Sequence, residues 1–139
     1  MKKLLLFASI VLTLSCSSDD NSSSSNSSSS KITPPAWIQG TWAEETIYHD
    51  TGSIFGFKFT SNDVCAVTPV QENCFKYLGD MSPETVQFEQ FVSDTEYKLV
   101  MKTEWQSTTV AHIRKISATK IASVAIIDNE FSPTYIKVN

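Results

Sequence analysis

The sequence predicts an all-β domain, a small antiparallel up-and-down barrel of about eight strands, and three observations predict it. Apolar and polar side chains alternate over short runs, turn residues separate the runs at intervals near ten residues, and no segment keeps a helical period through three turns. Short consecutive strands form a meander, and a meander loses its exposed edges most fully by closing on itself. The chain of 139 residues suffices for one domain and not two.

The first fifteen residues read as an address rather than as structure. Met1-Lys2-Lys3 is positive, and Leu4 to Leu14 is an apolar run of eleven residues. Such a run makes about 16 Å of helix against a hydrocarbon core near 30 Å, so it is a signal-peptide segment and not a span. Its last residues and the two that follow are Leu12-Thr13-Leu14-Ser15-Cys16, and then come Ser17-Ser18-Asp19-Asp20. The first motif resembles the lipobox of bacterial lipoproteins, and the second resembles the acidic export signal of Bacteroidota-type lipoproteins. The resemblance implies that Cys16 carries the lipid, that the peptide is cut before it, and that Ser17, Ser18, Asp19 and Asp20 direct the protein to the cell surface. The alternative is the periplasmic leaflet of the outer membrane. Acyl chains bury roughly 0.8 kcal/mol per CH₂, so two or three of them anchor a protein that has no transmembrane helix.

Residues 16–36 are then the lipidated amino terminus and a tether. Ser22 to Ser30 is serine broken only by Asn26, a tract with nothing to bury and therefore expected to be disordered. Lys31 to Ala36, with Pro34-Pro35, is a stiff lead-in that cannot start a ladder. The domain is expected over 37–139.

Strands are expected at 41–49, 53–60, 64–68, 73–78, 85–92, 95–102, 105–113, 121–127 and 133–138. Each is bounded by turn chemistry such as Asp50-Thr51-Gly52, Ser61-Asn62-Asp63, Gly79-Asp80-Met81-Ser82-Pro83 and Asp128-Asn129-Glu130. Phe55, Phe57 and Phe59 project to one face of their strand, as do Tyr97, Leu99 and Met101 of theirs; Trp105, Ser107, Thr109, Ala111 and Ile113 are expected to share a side.

Trp37-Ile38-Gln39-Gly40-Thr41-Trp42 resembles the Gly-x-Trp opening of lipocalin-like barrels. His112 to Ile121, with Lys137 near the end, is similar to the closing strands of small lipocalin-like lipoproteins. The resemblance implies that Gly40 and Trp42 are structural, the glycine turning the chain in under the barrel and the indole plugging its closed end. It also implies an interior with room for a small apolar ligand.

With Lys2 and Lys3 removed, nine basic residues face 15 acidic ones. That balance lacks the positive field that gathers phosphate backbones, so nucleic acid is not an expected partner. No motif for a metalloprotease, serine hydrolase, phosphate loop or calcium loop is present, and the protein is not expected to be an enzyme. His49 and His112 are read as solvated residues, with no cysteine or acidic cluster to complete a metal site, so neither metal nor cofactor is expected. Glu44, Glu45, Glu89, Glu96 and Glu104 are read as acids on strand faces.

Cys65 and Cys74 bracket a hairpin in an exported chain. A cross-strand disulfide is expected if the two face one another, with intermolecular pairing or free thiols as the alternatives. Phe55, Phe57, Phe59, Phe88, Tyr97 and Trp105 either line a calyx for an apolar ligand or fill the core. Trp37, Tyr48, Tyr77 and Tyr135 are a second aromatic set that could present a platform to sugar rings. Two functional readings follow: a surface lipoprotein whose barrel binds a small apolar molecule, and a glycan- or protein-recognition module with a filled core that works through its outer surface.

Overall fold

The structure is a computed structural model and describes residues 27–29, 31–124 and 132–138. The leader, Cys16, the residues 17–20 and the turn expected at 128–130 lie outside the described residues. Among those described, no helix is long and apolar enough to cross a membrane.

The described residues form ten strands and two short helices: β1 (Ser27–Ser29), β2 (Gly40–Glu44), α1 (Glu45–Thr51), β3 (Gly56–Phe59), β4 (Val64–Val67), β5 (Glu72–Cys74), α2 (Lys76–Met81), β6 (Gln87–Val92), β7 (Glu96–Lys102), β8 (Ser107–Lys115), β9 (Lys120–Ser123) and β10 (Thr134–Val138). All pairings are antiparallel, and the strands make one curled sheet in the order β1-β6-β7-β8-β9-β10-β2-β3-β4-β5. From β2 to β10 this is an up-and-down barrel-like fold. The first and last of those strands pair, Trp42 opposite Lys137 and Ala43 opposite Ile136. The expected closure is incomplete: among the described residues β5 and β6 do not pair, and α2 connects them across the seam.

The helices correct the expectation of strands over 41–49 and 73–78. At α1 the Glu44 carboxylate accepts from the backbone N–H groups of Thr46 and Ile47, and Gly52 ends the helix in the left-handed conformation at φ 69°. Local capping ends the alternation after Glu44. The β3 strand therefore starts at Gly56 rather than Ser53; Phe55 precedes it, its carbonyl accepting from Glu44 N–H at 2.7 Å and its side chain 40% exposed. At α2 the Asp63 carboxylate accepts from Lys76 N–H at 2.8 Å and from Val64 N–H at 2.8 Å, tying the helix start to the β3–β4 turn.

The expected face of 105–113 also changes. Leu99 pairs with Ala111 but Val100 with Thr109, so Val110 is an extra residue in β8. A one-residue bulge sends every side chain upstream of it to the opposite face. Ala111 and Ile113 point inward as expected, whereas Ser107 and Thr109 take the outer face and Trp105 sits in the β7–β8 turn, 89% exposed.

The core is Trp42, Phe59, Val64, Phe88, Tyr97, Leu99, Ile113 and Ile121 with Ile32 and Ile38. Ile32 moves the domain boundary: the packed unit begins before Trp37. Ser27–Ser29 also pair with β6, so the expected unstructured tether is a strand at that point. The physical reason is Gln90, buried on the inner face of β6. Its amide donates to Lys31 O at 2.7 Å, while its carbonyl accepts from Thr33 N–H at 2.7 Å and from the Tyr97 hydroxyl at 3.1 Å. A buried amide needs such partners, and the lead-in backbone supplies two of them.

Candidate functional site

The six aromatic residues expected to line a calyx separate in the structure. Phe59, Phe88 and Tyr97 are buried, Phe57 is half-buried against them, and Phe55 and Trp105 face solvent. Phe59 meets Tyr97 edge-on at 6.0 Å between centroids, and Phe57 meets Phe59 at 5.8 Å and Tyr135 at 5.4 Å. Where a ligand was expected, these rings contact one another. Burial, with a smaller contribution from the Asp63 charge, raises the Tyr97 hydroxyl far above its ordinary range. Burial and then Glu44 raise that of Tyr135.

Gly40 and Trp42 both lie in β2. Gly40 has φ 131°, and a Cβ there would stand 2.6 Å from the Lys137 side chain. The Trp42 indole is fully buried, donates to Ile38 O at 2.6 Å and carries the Lys137 ammonium 5.5 Å from its ring centre. Trp37 donates to Ser93 O and packs under Lys115. The second aromatic set is not assembled: Trp37 and Tyr135 are engaged with other partners, and Tyr77 stands exposed on α2.

Cys65 and Cys74 are paired across β4 and β5 as a disulfide, as the hairpin spacing led us to expect. Asp63 lies within 4.8 Å of both sulfurs. With the sulfurs bonded to each other there is no thiolate for an ion, and the Asp63 carboxylate is used by the backbone of Val64 and Lys76.

The scattered acids are mostly engaged. Glu45 binds Lys120 and the Thr134 hydroxyl, joining α1 to β9 and β10; these hydrogen bonds hold its carboxyl below the ordinary range. Glu89 pairs with Lys102 and Glu96 with His112. His112 points outward, as expected, but its carboxylate partner was missed. The signal was register: Glu96 and His112 lie on adjacent strands, facing the same side, which one sequence without pairing cannot reveal. His49 lies in the last turn of α1, exposed.

Three open grooves are among those on the surface of the described residues. One of about 490 Å³ lies between β5 and α2, beside Phe75, Tyr77 and Leu78. One of about 270 Å³ runs between Glu84, Gln87 and Glu104. The third, about 400 Å³, lies on the outer face of β6–β8 and is lined by Glu89, Phe91, Glu96, Lys98, Val100 and His112, together with Gln90. Cross-strand pairing puts these outer residues side by side, Glu89 opposite Val100 and Lys98 between Phe91 and His112. Sequence reasoning did not find this groove, because Glu89, Glu96 and His112, read as surface positions, are made part of a concave face only by their neighbours. Compared with known proteins, the chain matches no family model, no curated protein and no solved structure.

Proposed function

We propose that the chain is a non-enzymatic lipoprotein, anchored to the outer membrane through Cys16 and displayed at the cell surface, whose domain recognises its target through its outer face. The observation that carries this reading over the carrier reading is the contact of Phe57, Phe59 and Tyr97 with one another where an apolar ligand was expected. Rings in mutual contact at interior packing distances leave their apolar surface already satisfied. The lipocalin-like resemblance is supported by Gly40, Trp42 and Lys137, whose contacts belong to the framework and not to a ligand. Anchoring and display rest on the motifs at Cys16 and at Asp19-Asp20.

Native mass spectrometry of the full chain, purified from its own envelope, tests the choice. The expected spectrum shows the acylated, oxidised polypeptide without a further apolar adduct. A reproducible adduct lost on denaturation would restore the carrier reading. Fractionation of Cys16→Ala tests the anchor: the variant is expected in the soluble fraction.

A further inference from the structure

We infer that the groove on the outer face of β6–β8 is a binding site for a neutral sugar ring, an assignment that rests on the outer-face reading above and names its ligand. The argument is one of chemical complement. Phe91 and Val100 supply an apolar floor, half-buried on the face opposite the core. Around them stand two carboxylates, Glu89 and Glu96, the Lys98 ammonium, which can donate, and the His112 imidazole, whose Nε2 is engaged by Glu96. The carboxylates are engaged by Lys102 and His112, whereas among the described residues no carboxylate lies within ion-pair distance of Lys98.

A fully apolar ligand would strip water from four polar side chains and return no hydrogen bonds. An anion would meet Glu89 and Glu96, and a cation would meet Lys98. A pyranose ring presents hydroxyls that both donate and accept around its rim and C–H hydrogens on one face. The hydroxyls match the mixed carboxylate and ammonium edge, and the C–H face matches the negative face of the Phe91 ring. The groove, about 400 Å³ and open, is within the size range of small-molecule sites.

The bulge at Val110 gives the site its shape. It sits where β8 pairs with Val100 of β7, and bulges bend and twist the strand that carries them. The Glu96–His112 pair orients the imidazole, and Lys98 lies between Phe91 and His112 in the cross-strand register.

The test is a screen of the full chain against an array of neutral and acidic oligosaccharides, followed by titration calorimetry with the strongest neutral binder. A neutral oligosaccharide is expected to bind, with Phe91→Ala and Lys98→Met each weakening it at least tenfold while the far-ultraviolet dichroism stays unchanged. Trp105→Ala, in the β7–β8 turn, is expected to bind within twofold of the parent chain. Retention of acidic sugars alone would overturn the assignment, since it would make the groove an anion site. Binding lost in Trp105→Ala but kept in Phe91→Ala and Lys98→Met would overturn the site while leaving outer-face recognition standing. No retained oligosaccharide would overturn the sugar, whereas the carrier reading is decided separately by the apolar adduct in the mass spectrum. If Phe91→Ala fails to fold, the half-buried surface variant Lys98→Met decides.

Discussion

Two segments guard the two edges of the open sheet, and they are held by different physics. The lead-in, residues 31–38, is pinned by burial: Ile32 and Ile38 are essentially inaccessible, and the Gln90 amide grips the backbone on both sides of Ile32. At the opposite edge, α2 buries only Gly79 and shows Tyr77, Leu78 and Met81 to solvent. It is fixed from its start, by the disulfide that ends β5 and by the Asp63 carboxylate on Lys76 N–H. A short segment whose large apolar residues are buried can be stapled by the core. One without that option needs a crosslink or a cap.

The contrast predicts a graded series of effects. The largest is expected from Ile32→Ala, which removes a fully buried side chain and leaves a cavity. It should cost about 2 to 5 kcal/mol in urea unfolding of the full chain. A loss under about 1 kcal/mol would mean that the lead-in merely rests on the barrel.

Next comes the disulfide. Its cysteines are separated by 9 positions, and closing a loop of that size is worth about 2 to 3 kcal/mol on the chain-entropy model. Cys65→Ser/Cys74→Ser should lower stability by that amount, and hydrogen exchange should show faster opening in α2 than in β6. Equal acceleration in both would erase the distinction between the edges.

The smallest effect is expected from the Lys76–Asp80 pair, whose side chains are solvated. The hydrogen bond from Lys76 to Asp80, with their charge attraction, holds the ammonium above its ordinary value of 10.5. A raised folded value stabilises fully below the unfolded one and is lost as pH rises through the folded one, so any contribution is constant near neutrality and disappears only above about pH 10.5. Asp80→Asn should leave the urea midpoint at pH 7 unchanged within error. A shift comparable to that of the disulfide variant would make the ion pair, not the crosslink, the fastening of α2.

The legible parts of this molecule are those whose signal is local. Alternation placed Phe57 and Phe59, and Tyr97 and Leu99, on inward faces because side chains in a strand repeat every two residues. The hairpin around Pro69 placed Cys65 opposite Cys74. Alternation failed where one residue broke the period: Val110 shifts β8, so Trp105, counted on the inner side by a two-residue repeat, is in solvent. It failed again at Thr41 to His49, where the capping carboxylate of Glu44 turned half of an alternating run into α1. The groove of β6–β8 was illegible for a different reason. Glu89, Glu96, Lys98 and His112 each look like ordinary outward residues, and only pairing across three strands makes them neighbours.

The residues alone decide the all-β class, the inward stripes and the hairpin that carries the disulfide, because each depends on spacing of a few positions along the chain. Only tertiary structure decides that the sheet stays open between β5 and β6, that Gln90 draws Lys31 to Thr33 into the core, and that Glu96 meets His112. The last two outcomes join residues 16 to 59 positions apart. Their energies depend on which strands lie side by side, and no local pattern encodes that.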